Sequence, residues 1–164
     1  MTSRLVKFLC KIFAAKRSGI TDYILAAVGV IALTSLPLGQ LLADNFDYKA
    51  SEVMSEVVSN LRGGPNDVFY FTLFVICILA PIAEELVFRG VLWSYVSKRI
   101  NLNYAFIITT ILFAVAHQSP VHIAGVLPLS LWLGLVRYRS GSILPCIFAH
   151  SLNNVIISIC MMTT

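Results

Sequence analysis

Glu84 and Glu85 stand side by side inside the run Ala-Pro-Ile-Ala-Glu-Glu-Leu-Val-Phe-Arg-Gly-Val-Leu-Trp of residues 80–93, and Arg89 follows one helical turn later. Ionisable side chains in so apolar a setting are costly and need partners, which makes them a functional-site hypothesis by default. Glu85 and Arg89 are spaced i,i+4 and can pair on one helix face. Glu84 lies about 100° round the helix from Glu85, so one carboxylate can face a cavity while the other turns away. An arginine beside one carboxylate holds it ionised and leaves the other free to act as a general base.

The elements that must position these groups are membrane helices. The chain has 164 residues, 58% hydrophobic and only 12% charged, with a mean hydropathy of +0.84. Soluble domains carry roughly a quarter charged residues. An all-α polytopic membrane bundle is therefore expected, with about five transmembrane helices. The net charge of +4 does not point to nucleic acid, because the basic residues lie between apolar segments rather than on one patch. Cys10, Cys77, Cys146 and Cys160 lack metal-type spacing, and three fall in apolar runs where they read as small buried hydrophobes.

Residues 1–19 form a basic N-terminal segment, either an interfacial amphipathic helix or a tail. Residues 20–43 are long enough for a first span, followed by an acidic outer segment, 44–67, with helical spacing of its apolar residues. Further apolar stretches cover 68–96, 104–116, 121–136 and 143–162, with polar joints at 97–103, 118–120 and 137–142. The organisation reads as 1–19, then 20–67 as an extra helix with its outer loop, then a core over 68–164. With the N-terminus cytoplasmic, Arg4, Lys7, Lys11, Lys16, Arg17, Lys98, Arg99, Arg137 and Arg139 share one side against Lys49 and Arg62 on the other. The positive-inside rule selects that orientation.

Few other polar residues lie within the spans: His117 in the third, His122 at the start of the fourth, and His150, Asn153 and Asn154 in the fifth. His122 sits beside Pro120 at an outer end and reads as facing water. Counting from cytoplasmic markers at 1.5 Å per residue puts Glu84 roughly 21 Å deep, His117 and Asn154 about 22 Å, and His150 about 16 Å. A structural ion pair would explain Glu85 and Arg89 alone, and a helix-to-helix hydrogen bond would explain His117 alone. Their common depth favours a chemical site.

The patterns Glu84-Glu85-x-x-x-Arg89, Phe113-x-x-x-His117 and His150-x-x-x-Asn154, in order on successive apolar helices, resemble the CPBP (Abi) family of intramembrane proteases, which includes the CAAX prenyl endopeptidases. Phe88-Arg89-Gly90 and the run Arg139-Ser140-Gly141-Ser142-Ile143-Leu144 support the resemblance. It implies a four-helix catalytic core around a polar cavity and hydrolysis of a peptide bond in a membrane-associated protein or peptide. Glu84 would then activate a water held also by His117, and His150 and Asn154 would donate to the oxyanion. Glu85 and Arg89 would orient and charge the site. Glu84, His117 and His150 would also suit Zn²⁺ with an open water position, so a glutamate-type and a metal-dependent mechanism both stand. The expected setting is the cytoplasmic membrane of a prokaryote. The competing functions are a non-catalytic membrane immunity or binding protein on the same fold, and a small transporter.

Overall fold

The computed structural model describes residues 18–36, 59, 63–118 and 120–163. Five helices of more than ten residues run through this part of the chain: α1 (Ile20–Thr34), α2 (Asn66–Arg99), α3 (Leu102–Val115), α4 (Pro120–Ser140) and α5 (Leu144–Thr163). Helices α2, α4 and α5 are long and apolar enough to cross a membrane, while α1 and α3 are shorter apolar helices. Large apolar side chains cover the outer faces of the bundle, among them Phe71, Val87, Ile107, Leu131 and Phe148. A surface of this kind belongs against lipid, and the protein is an integral membrane helix bundle. The basic segment before residue 18 and most of the acidic stretch 44–67 lie outside the described residues.

Helix α1 ends at Thr34, well before the expected limit at residue 43. Leu36 precedes Pro37, and the residue before a proline is disfavoured in the α region. Thr34 and Ser35 close the end by donating to Val30 O and Ile31 O at 3.0 and 2.7 Å. Helix α3 also stops early, at Val115, because Pro120 follows and Gln118 adopts a left-handed φ of 61°. His117 therefore lies in the turn after the third helix rather than within it. The expected joint at 137–142 is shorter than its polarity suggested. Helix α4 continues through Arg137 to Ser140, and the reversal occupies only three residues.

That reversal fixes the register of α5. Gly141 takes a positive φ of 68°, which glycine adopts without penalty. Ser142 Oγ accepts the Leu144 N–H at 3.3 Å, and Ser140 Oγ accepts the Ser142 N–H at 3.1 Å. Helix α5 thus starts at once and carries His150 back along α4 toward α2.

The main core joins α1, α4 and α5 through Ala26, Val30, Leu129, Leu133, Val136, Cys146 and Ala149. A second cluster, Trp93, Val96 and Ala105, packs the end of α2 on α3. The thiols of Cys77 and Cys146 are free and buried as expected, whereas Cys160, near the end of α5, is exposed rather than buried. Helix α1 approaches α4 closely at Gly29, where an added Cβ would lie 1.9 Å from the Trp132 ring. That indole is held in place by Nε1 donating to Ala26 O at 3.2 Å. Small residues at such crossings let membrane helices pack backbone to side chain. Gly29→Leu is expected to displace the indole and destabilise the bundle by about 1–3 kcal/mol, measured as a lower midpoint of unfolding in detergent.

Candidate active site

Helix α2 carries the acidic pair, and its backbone is irregular on both sides of it. Wide π-helical turns at Val75–Leu79 and Leu86–Leu92 flank the regular segment Ala80–Glu85. Such turns are rare and recur at functional sites. The first has a direct chemical cause and consequence. The Ala80 N–H reaches back five residues to Val75 O, and Pro81 has no N–H. The carbonyl of Ile76 is thereby left without either of its main-chain donors. In a bilayer no water can satisfy it. Asn154 of α5 does so, its Nδ2 donating to Ile76 O at 2.9 Å.

Glu85 and Arg89 form the buried centre, and both side chains are fully excluded from solvent. Arg89 Nη1 donates to Glu85 Oε1 at 3.1 Å. Its Nη2 donates to Ser130 O and Ser130 Oγ on α4 at 3.0 and 2.9 Å, and Ser130 Oγ in turn donates to Thr110 O on α3. The guanidinium carbon lies 4.1 Å from the centroid of the Phe113 ring, a cation–π contact strengthened by desolvation. Three helices thus neutralise, bond and cover one arginine.

His150 joins the two glutamates. Its Nδ1 lies 3.0 Å from Glu85 Oε1, the oxygen already bound by Arg89. Its Nε2 lies 3.8 Å from Glu84 Oε2. An ionised carboxylate only accepts, so the Glu85 contact puts a proton on Nδ1 and turns Nε2 toward Glu84. His117 is fixed in the same sense, because its Nδ1 lies 3.0 Å from Phe113 O and a carbonyl cannot donate. Both histidines therefore leave Nε2 free of these bonds. Their rings sit 5.3 and 5.6 Å from Phe113, and Phe88 packs on the same ring at 5.2 Å.

The two adjacent carboxylates live in different surroundings. Glu85 is sealed, whereas the Glu84 side chain retains 37% exposure. The structure thus brings Glu84, Glu85, Arg89 and His150 into one connected set, with His117 reached through Phe113. Asn154 is placed apart from it. Its amide goes to Ile76, eight residues before Glu84 on the same helix, and its Oδ1 accepts from Asn153 Nδ2 at 3.2 Å. Equal depth along the helices did not translate into one point of convergence for this residue. Among the described residues, no three His, Cys, Asp or Glu side chains are grouped so as to hold a metal ion, and Glu84, His117 and His150 form no such set in this arrangement.

Several participants carried no signal of their own in the sequence. Ser130 is one serine in an apolar helix. Arg137 is one of two arginines in the last turn of α4, yet it is buried and bonded to the backbone of Arg89 at 3.0 Å. Phe113 was visible only through its spacing to His117.

A helical membrane protein with a buried ion pair and a half-open glutamate facing a histidine is a restricted class. The family model described as type II CAAX prenyl endopeptidase, Rce1-like, matches residues 66–156. That interval contains every residue of the site and more than half of the chain, and the protein belongs to this family of CAAX-type endopeptidases. No curated protein and no solved structure matches the chain.

Because Pro81 creates the vacancy that Asn154 fills, the two residues should be energetically coupled. Asn154→Leu is expected to lower stability by about 1–3 kcal/mol through a carbonyl left without a donor in hydrocarbon. Pro81→Ala, which restores a backbone N–H, is expected to return part of that loss in the double variant. A double-mutant cycle on detergent unfolding measures the coupling.

Proposed function

We propose that the protein is a glutamate-type intramembrane endopeptidase in which Glu84 is the general base. The observation that carries this reading is the part-exposed Glu84 carboxylate 3.8 Å from His150 Nε2, beside a second glutamate already committed to Arg89 and His150. Water is the nucleophile. Glu84 takes one of its protons as the oxygen attacks the scissile carbonyl carbon, and His117 Nε2 accepts a hydrogen bond from the other. The carbonyl π electrons move onto oxygen. His150, flanked by carboxylates at both ring nitrogens, can carry a proton on Nε2 and donate to that oxyanion. Collapse of the intermediate breaks the C–N bond, and Glu84 returns its proton to the departing amine nitrogen. The products are a carboxylate and an amine, and the base is regenerated.

Glu85, itself held by Arg89, orients the His150 ring through Nδ1 and stabilises it when Nε2 also carries a proton, which is what an orienting carboxylate does for a catalytic histidine. The substrate is a membrane-associated protein or peptide, and the N-terminus lies on the cytoplasmic side with the helix ends that hold Lys98, Arg99 and Arg139. The helical apolar surface and the family membership support this placement in a membrane.

Glu84→Gln and His117→Ala are expected to remain folded and inserted while losing roughly 10²–10⁴-fold in peptide hydrolysis. The measurement is cleavage of a membrane-anchored peptide by purified protein in nanodiscs. A Glu84→Gln variant that keeps the biological activity would instead establish a non-catalytic binding or immunity role. Exhaustive chelation is expected to leave the rate unchanged, with no stoichiometric zinc by elemental analysis; activity lost to chelation and restored by Zn²⁺ would defeat the glutamate-type mechanism.

A further inference from the structure

The second wide turn of α2, Leu86–Leu92, also displaces a carbonyl from the normal ladder. In a regular α-helix the Trp93 N–H would reach Arg89 O, but here it is directed to Phe88 O and Gly90 O. The passed-over Arg89 carbonyl accepts the Nε–H of Arg137 on α4 at 3.0 Å. The Arg137 guanidinium lies over the Trp93 ring, 5.6 Å from its centroid, and the side chain is only 7% exposed. Seven residues earlier on the same face of α4, Ser130 holds the other end of Arg89 by its guanidinium. Helix α4 therefore grips Arg89 twice, once at the main chain and once at the side-chain tip.

We propose that Arg137 is a positioning residue of the active site, acting through the Arg89 carbonyl. With that carbonyl held, the wide turn is fixed, and the Arg89 side chain is aimed so that one nitrogen meets Glu85 Oε1 and the other meets Ser130. Glu85 Oε1 is also the oxygen that fixes His150, so the chain of control runs Arg137, Arg89, Glu85, His150. Releasing the carbonyl lets the turn relax toward regular α geometry and rotates Arg89 away from one of its two partners. A displacement near 1 Å at the reacting groups costs on the order of a hundredfold in rate. The inference rests on the peptidase reading for its catalytic consequence, but not for the contact itself.

The contact predicts an unusual order of substitutions. The amide nitrogen of glutamine occupies the position of the arginine Nε and offers an N–H, without the charge. Lysine keeps the charge but has a methylene at that position. Arg137→Gln is expected to retain the rate of cleavage of a fluorogenic prenylated CAAX peptide in nanodiscs within about threefold, whereas Arg137→Lys and Arg137→Met lose about tenfold or more in kcat with KM little changed. A second readout is independent of catalysis. Labelling with carbonyl-¹³C arginine and ¹⁵N glycine isolates the two Arg-Gly pairs of the chain, Arg62-Gly63 and Arg89-Gly90, and Arg62→Lys assigns them. The Arg89 carbonyl resonance is expected to move in the Lys and Met variants and to stay in the Gln variant. Wild-type kcat in Arg137→Lys, or an Arg89 carbonyl that does not move, overturns the proposal. A wild-type protein that leaves the peptide uncleaved defeats the peptidase reading instead, and the carbonyl resonance then decides whether Arg137 holds Arg89.

Discussion

A carboxylate and a guanidinium sealed inside a membrane helix bundle set the terms for everything around them. Burying the Glu85–Arg89 pair costs several kcal/mol per ion, and mutual attraction offsets this only when the remaining donors are also satisfied. The structure meets that condition for most of the pair, through Ser130 from α4, the Phe113 face from α3 and His150 from α5, and leaves Glu85 Oε2 and Arg89 Nε without a hydrogen-bond partner among the described residues. Each element that touches the pair is thereby held in register with the others. Arrangement of the helices and assembly of the site are the same event, because the polar contacts that orient His150 are those that neutralise Arg89.

The irregular backbone of α2 adds a second constraint. A wide turn releases a carbonyl, and in hydrocarbon a released carbonyl must find a donor within the protein. Two such carbonyls flank the glutamates, and each recruits a side chain from a different helix: Asn154 at Ile76, Arg137 at Arg89. What would be a defect in a soluble helix becomes a pair of cross-links that pin α2 to α5 and α4. The glutamates lie on the short regular segment between them, so their direction is set by both ends at once.

How much of this was legible in the sequence depends on the range of the interaction. The Glu85–Arg89 pairing follows from i,i+4 spacing and needed no tertiary knowledge. The approach of His150 to Glu84 followed from counting depth along antiparallel helices, to within a turn, whereas its bond to Glu85 did not. The same count misled for Asn154, since rise along a helix says nothing about which way a side chain points. Pro81, which has no N–H, leaves a carbonyl about one turn back without a donor, but nothing in its sequence neighbourhood says which residue supplies one. Arg137 was indistinguishable from Arg139 by charge and position, although one is buried against Arg89 and the other is exposed. His117 fell outside its helix because Pro120 and the left-handed Gln118 end α3 at Val115, one residue short of the apolar stretch.

The division between two adjacent glutamates finally rests on obligations rather than on identity. Glu85 Oε1 accepts from both Arg89 and His150. Protonating it would weaken both contacts and leave a guanidinium uncompensated in the interior, so it is unsuited to accept a proton in every turnover. Glu84 lies one residue away with its carboxylate part-exposed and facing a histidine nitrogen across 3.8 Å. It can gain and lose a proton without unpairing a buried cation. On the proposed peptidase mechanism two identical side chains are thereby assigned, one to structure and one to proton transfer, by a rotation of about 100° along the helix.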